Sequence, residues 1–557
     1  MAALAALLAI SRPGVAAAKT SAGAQGPVGG KKHRHKPLCR ARGVPAVAIS
    51  PLPGATAAPP DSQISFRGVP VGDLREISVV GSRSGTHEGA LRAYESAKGG
   101  SFVPSTPFDE GEQVEVRAMV KANGGCRKVA SSFTVAREAH PVYEEAFEYP
   151  GTPGEQQQYE SNNVKPPVLT IQQPASAAAA PGDIFATPYL GPGEHGPMIF
   201  ESSGRLVWFD VLPTGLDADD FDVQTYEGEP DLVWWQGEVT SLGFGFGEDV
   251  IVNSAYKVVA HVKAGNGLRA DMHEIELTAN GSAFITSYEP VEIGGVAAGG
   301  EAIAAAANGR SPAKSQSRVV LDSIVQEIDV KTGLVMWEWD SIGHVPLSAS
   351  KSSPPGSRGK PYDYFHVDAV QRVSDGDLRI AARGTGRIYE VGATGGRVIG
   401  SEPSPSGSFA LGEGDEQALG DGNRIVYSGE GASFAELDAE GQPLYQVAFP
   451  AGERLGRVYR QPWDGEPEGR PGVATKLSGT KTDVYVAWNG NTQVSAWELL
   501  AGEAPSKLQP VATVANTGFQ TKFSTPEVAY VKVRALGAGG EVLAESNVKE
   551  SVHEGDE

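Results

Sequence analysis

A short hairpin text recurs through the middle of this chain, and it restricts the possible folds more than any other feature. Each copy places an apolar strand ending near an acidic residue before a turn containing glycine, then a second apolar strand that often carries Trp. The copies occupy 199–210 (IFESSGRLVWFD), 275–287 (IELTANGSAFITS), 324–340 (IVQEIDVKTGLVMWEWD), 388–399 (IYEVGATGGRVI) and 434–447 (FAELDAEGQPLYQV). Their turns are predicted at Gly204, Gly281, Gly333, Gly395 and Gly441. A lone hairpin cannot bury its faces, so such units must pack side by side, and their irregular spacing suits propeller blades of about 40–50 residues with loop insertions. The expected architecture is all-β, with a β-propeller over 183–472.

The flanks read differently. Over 63–138, short β-type runs such as ISFRGV, QVEVRAMV and ASSFTVAR alternate with turn residues, which predicts a small N-terminal β-sandwich. Residues 139–182, low in apolar content and rich in Pro, Gly and Gln, read as a linker. The strands of 473–548 are spaced as in a fibronectin type III-like domain with Trp488 and Trp497 as core aromatics, followed by an acidic tail at 549–557. Residues 1–18 resemble a signal peptide, with an apolar core at 2–10 and small residues at 16–18; 19–62 is a basic, Pro-rich linker. A secreted or cell-surface location is the expectation. The Ala/Gly-rich insertion at 291–318 reads as a mobile loop. Two cysteines, Cys39 and Cys126, are too few for a zinc site between them and suit a disulfide in an exported chain.

Charge narrows the partners. Across 557 residues, 47 Lys and Arg face 68 Asp and Glu, a net charge of −21. Phosphate recognition needs a basic face, so no nucleic acid is expected. No apolar run approaches the roughly 18–20 residues that span a bilayer, so no transmembrane segment is expected.

Three histidines lie in dense polar and aromatic text within the predicted propeller: His273 in ADMHEIEL, His344 in SIGHVPL and His366 in YDYFHVDAV. Arg383 follows in RIAARGTGRIYE. An imidazole suits nucleophilic or proton-transfer work near neutral pH, and a guanidinium offers forked donors to an oxyanion. Singly, each histidine is more simply a group satisfying a blade-edge carbonyl; together with Arg383 they suggest handling of an anionic group. His344 is the lesser candidate and is placed only as a substrate-binding residue. The aspartates of LDADDFDV (216–223) lack the glycine and terminal glutamate of an EF-hand and read as an acidic surface loop. Trp234 and Trp235 read as core, GFGFG at 243–247 is no dinucleotide fingerprint, and no G-x-S-x-G elbow occurs. No cofactor or metal is expected.

Several longer runs resemble a known family. PGDIFATP, GPMIFESSGRLVWF, VQTYEGEPDLVWWQG, DMHEIELTANGSAFITSYEPV, DSIVQEIDVKTGLVMWEWDSIGHVPL, YDYFHVDAVQRVSDGDLRIAARGTGRIYEV and GRVYRQPWDGEP look like the bacterial arylsulfate sulfotransferases, in the branch of secreted multidomain proteins, over roughly 183–470. The resemblance implies a six-bladed propeller that moves a sulfuryl group from a phenolic sulfate ester to a phenol, without a nucleotide donor, through a sulfohistidine. It further implies that His273 and His366 are sulfate-site histidines and that Arg383 clamps the sulfate. The chain departs from the family where the nucleophile belongs. The family's Trp-Gln-His-Asp-Ala motif would follow the blade ending near GRVIG, yet no histidine occurs between His366 and His553. About one blade of chain, on the order of 50 residues, is expected to be absent or incomplete around Gly400–Gly422. Two functions follow: an arylsulfotransferase-like protein with impaired transfer, or an exported binding or adhesion propeller that has lost catalysis.

Overall fold

Apolar and polar residues that alternate on either side of a glycine turn are what an antiparallel hairpin requires, and all five repeated copies fold as hairpins. Gly204, Gly281, Gly333 and Gly441 take positive φ at their turns; in the 388–399 copy this role falls to Gly396 rather than Gly395. A side chain at Gly396 would strike Leu52 of the N-terminal sandwich. The computed structural model describes residues 46–122, 125–294, 318–357, 359–373, 376–403, 416–420, 422–428 and 431–551. Among them there is no α-helix, and the protein is all-β. The signal-peptide reading, Cys39, most of the 291–318 insertion and most of the Gly400–Gly422 segment lie outside the described residues. Cys126 is disulfide-bonded.

The central region is built from four-stranded antiparallel units in chain order. Asp183–Ala186, Met198–Phe200 and Leu206–Phe209 form one sheet, completed by Tyr459–Gln461 from far along the chain. Asp217–Tyr226, Glu229–Val239, Gly245–Val252 and Val258–Val262 form the next. A single pairing, Gly247 with Ala270, joins it to Ala270–Leu277, Ser282–Ile293, Arg318–Asp329 and Leu334–Asp340. Val367–Arg372, Leu378–Ala382, Arg387–Val391 and Val398–Pro403 make a fourth unit. The fifth contains Glu416–Ala418, Arg424–Ser428, Ser433–Leu437 and Pro443–Ala448, and gains Thr170–Gln173 at its edge. With Pro188–Tyr189 also paired to Arg454–Leu455, early and late segments of the central region pair three times among the described residues, which covers strand edges that would otherwise be exposed. Trp234 and Trp235 are buried, in line with their reading as core, and Trp337 and Trp339 join them in the interior.

The acidic LDADDFDV segment is not a surface loop. It opens the strand Asp217–Tyr226, where Asp217, Asp219 and Asp220 are all buried. A register shift between Asp219 and Asp222 places neighbouring carboxylates against donors: the Ile275 N–H donates to Asp220 Oδ2 at 2.9 Å and the Tyr459 hydroxyl to Asp220 Oδ1 at 2.9 Å. Buried charge is tolerated where it is hydrogen-bonded.

The N-terminal part is a sandwich of two four-stranded sheets around Phe66, Phe133, Val114 and Val116. It begins earlier than the composition suggests, because Ala48–Ser50, within the Pro-rich text, pairs with Ile64–Arg67. Its face docks on the strands Arg318–Asp329 and Leu334–Asp340: Ser101 Oγ donates to the Val335 carbonyl at 2.8 Å, and Arg67 meets Glu327 at 2.7 Å. The stretch 139–182 is more than a linker. It carries Thr170–Gln173, and the Ala139 N–H donates to the Pro290 carbonyl at 2.8 Å. At the other end, two sheets pack about Val484, Trp497, Leu499, Phe523 and Val533, with Trp488 partly buried beside them.

Candidate functional site

The strand Ala270–Leu277 carries Asp271 and His273 two residues apart, the spacing that puts both side chains on one face. His273 Nδ1 donates to Asp271 Oδ2 at 2.6 Å, since a carboxylate can only accept. Asp271 is fully buried and also accepts the Gly245 N–H on Oδ1 at 2.8 Å and the Thr286 hydroxyl on Oδ2 at 3.2 Å. Burial pushes its pKa up, but the His273 charge and hydrogen bond, with the Gly245 N–H, outweigh burial and leave the carboxyl below its ordinary range. For His273, burial alone depresses the pKa; the charge and hydrogen bond of Asp271, helped by the charge of Asp368, reverse this against Arg383 and push it up to about 9. Its Nε2 is buried and has no hydrogen-bond partner.

His366 approaches from the loop before the strand Val367–Arg372. It sits at φ 51°, an uncommon backbone state for a residue with a ring side chain, costing on the order of 1–3 kcal/mol unless its surroundings enforce it. They do so on three sides. Its carbonyl accepts the Arg383 N–H at 2.9 Å, its Nδ1 donates to Asp363 Oδ2, and Arg383 Nη2 meets its Nε2. Gly384 lets this loop close: a Cβ there would lie 2.4 Å from the Tyr364 carbonyl oxygen.

The two imidazoles stand edge to face with centroids 5.0 Å apart, and Tyr288 packs 5.4 Å from His366 and 6.1 Å from His273. Asp368 faces both rings, its Oδ1 lying 3.9 Å from His273 Nε2 and 3.7 Å from His366 Nε2; Arg383 Nε is 3.7 Å from the same oxygen. Thus the structure brings His273, His366 and Arg383 into one cluster. His344 does not join it: the ring stacks on Trp339 at 5.3 Å, Nδ1 donates to the Asp340 carbonyl at 2.6 Å, and burial lowers its pKa.

A second layer supports this cluster. Arg457 Nη1 donates to Asp220 Oδ1 and Glu274 Oε1, each at 3.1 Å, while Nη2 reaches Glu274 Oε2 at 3.2 Å and the Asp368 carbonyl at 2.8 Å. Glu274 also accepts the Val370 N–H at 2.8 Å. One guanidinium therefore ties Asp217–Tyr226, Ala270–Leu277 and Val367–Arg372 together beside the two histidines. Asp271, Asp363, Asp368, Tyr288, Glu274 and Arg457 were not singled out by sequence reading. The available signal was an aspartate two residues from each histidine, in D-M-H and H-V-D.

Residues 222–417, which contain His273, His366, Asp368 and Arg383, match the model of the arylsulfotransferase (ASST) family. Over this stretch the chain is similar to that family. Arg457 lies beyond the matched residues, so the support for Glu274 and Asp368 comes partly from outside that segment. No curated protein matches the chain. Among solved structures, the chain is similar to a protein from Lactobacillus plantarum at 11% identity over 67% of this chain and 97% of that one, with a TM-score of 0.19. It is also similar to a quinonprotein alcohol dehydrogenase-like protein from Bacteroides thetaiotaomicron at 8% identity over 92% and 98%, with a TM-score of 0.17. Likenesses this loose carry nothing about function.

Proposed function

We propose that the central region is a propeller of the arylsulfotransferase type, that its five described units correspond to a six-bladed ring short of one blade, and that the cluster at His273, His366 and Arg383 holds an aryl sulfate. The flanking domains would then be the small sandwich and the fibronectin type III-like domain of an exported protein. The observation that carries this reading is the meeting of the three residues inside the segment that matches the family. A sulfate ester presents anionic oxygens, and both a protonated His273 Nε2 and the Arg383 fork donate to such oxygens.

Transfer through a covalent intermediate needs one more group. An imidazole nitrogen must form a bond to sulfur as the aryl oxygen to sulfur bond breaks, with the phenolate leaving and taking up a proton; a second phenol then displaces the histidine. His273 Nε2 and His366 Nε2 both face Asp368, whose charge works against an approaching sulfate. The sequence has no further histidine up to His553. Together these favour binding with impaired transfer, and they favour the second reading, a binding propeller that has lost catalysis, over an efficient enzyme. The test is a chromogenic aryl sulfate with phenol as acceptor, combined with mass spectrometry for sulfohistidine. Measurable aryl sulfate binding with transfer reduced by several orders of magnitude is expected from loss of a covalent nucleophile. Fast turnover with a sulfate on either histidine would overturn the impairment, and absence of aryl sulfate binding would overturn the site.

A further inference from the structure

We infer that His273, His366 and Asp368 form a binding site for one divalent transition-metal ion of the zinc class. The potential ligand atoms of these three residues all lie within 4.8 Å of one another. Two imidazoles and one carboxylate are a donor set that suits zinc, and also iron, with coordination positions left open.

The surroundings of the three are as informative as the three themselves. Each imidazole spends its Nδ1 proton on a carboxylate, His273 on Asp271 and His366 on Asp363. That arrangement fixes the rings and directs both Nε2 atoms inward, as metal-bound histidines are held by a carboxylate behind them. His273, less than a tenth exposed, leaves Nε2 with no hydrogen-bond partner, and Asp368 Oδ2 is likewise buried without one. With each Nδ1 committed to a carboxylate, the two Nε2 atoms and the Asp368 carboxylate converge on one place, where a divalent cation would displace the His273 Nε2 proton and the Arg383 guanidinium. Asp271, Asp363 and Asp368 bring three carboxylates to the cluster, and the guanidinium of Arg383 meets His366 Nε2 and lies near Asp368. The proposal therefore has Arg383 and the metal competing for His366 Nε2. The Arg383 side chain is about 20% exposed, so it has a solvent-facing direction in which to turn away.

This inference does not depend on the aryl sulfate reading, because it is tested with the metal alone. The full chain is titrated with Zn2+ against a chromophoric chelator, and with Co2+ followed by its visible d–d absorption. His33 and His35 are replaced by alanine throughout, since two imidazoles one residue apart in the basic 19–62 sequence can themselves take up Zn2+. One ion per chain is expected, with the intense Co2+ bands of a low-coordinate nitrogen and oxygen site. His273→Ala, His366→Ala and the nearly isosteric Asp368→Asn should each weaken Zn2+ binding by more than about tenfold, and Asp363→Asn, acting from behind His366, by about 10–100-fold. Arg383→Met, which removes the competing cation and leaves all three ligands, should tighten it. Circular dichroism checks that each variant is folded, and Asp368→Asn with Arg383→Met decide the matter if either alanine variant is not. The inference is overturned if the parent chain binds no Zn2+, if Asp368→Asn binds as the parent does, or if Arg383→Met binds more weakly.

Discussion

At the scale of single residues, the behaviour of His273 is set by Asp271. Because its folded pKa is raised to about 9 from 6.5, the stabilisation it contributes is fully present below about pH 6.5 and is lost as pH rises through about 9. Aryl sulfate affinity should follow the same limb, holding near neutrality and falling as pH passes about 9; isothermal titration at several pH values checks this. Asp271→Asn should bring the His273 pKa down towards or below its ordinary value, because burial remains while the opposing charge is gone; NMR titration of the imidazole reads it directly. The same variant breaks a buried charge pair and should cost about 3–5 kcal/mol of stability in denaturant unfolding. An unchanged His273 titration would remove the coupling argued above.

At the scale of elements, much was legible because hairpins advertise themselves through local alternation and glycine. The five repeated copies gave their pairing partners without any long-range information. The unit Asp217–Val262 did not, since its reversal at Glu227 and Gly228 lacks the shared text, and its aspartates resembled a solvated loop. What partners the buried Asp220 carboxylate is Arg457 and Tyr459, more than 230 residues away, and no local pattern records a partner at that distance. For the same reason the strands Ala48–Ser50 and Thr170–Gln173 were missed: each is three or four residues long, in text rich in Pro or Gln, and is ordered by the neighbour it completes. Among the candidate residues, histidine and arginine stood out by chemistry, whereas the acids that orient them are common residues distinguished only by where they lie.

One such long-range tie makes a direct test at this scale. Arg460, on the short strand Tyr459–Gln461, pairs with Glu436 at 3.1 Å, with both side chains almost wholly buried, and also donates to Ser202 Oγ at 2.8 Å. Arg460→Met leaves Glu436 as an uncompensated buried charge and should destabilise by about 3–5 kcal/mol. Adding Glu436→Gln should restore part of that loss, and a double-mutant cycle measures the fraction. Loss of stability equal to the sum of the single variants would mean that the two side chains do not interact.

At the scale of the whole molecule, the pairing between early and late segments decides whether the central sheets behave as one unit. Gln461 sits where three segments meet. Its backbone pairs with Asp183, its side-chain oxygen accepts the Val223 N–H at 2.6 Å, and its side-chain nitrogen donates to the Val223 carbonyl at 3.2 Å. It therefore clips the first unit to the second through the last strand of the region. Gln461→Ala keeps the strand but leaves two Val223 backbone groups without protein partners, a loss of about 1–3 kcal/mol for a partly buried site. If the five units share one cooperative transition, that loss must appear as faster hydrogen exchange in strands far from the substitution, including Leu378–Ala382, as well as in Asp183–Ala186 and Asp217–Tyr226. The N-terminal sandwich and the C-terminal sheets have hydrophobic cores of their own, and exchange in Gln113–Ala122 and Tyr530–Leu536 should change much less. Exchange that rises only in the strands touching Gln461 would mean that the units open independently, and that the pairing of early and late segments protects edges without coupling the sheets.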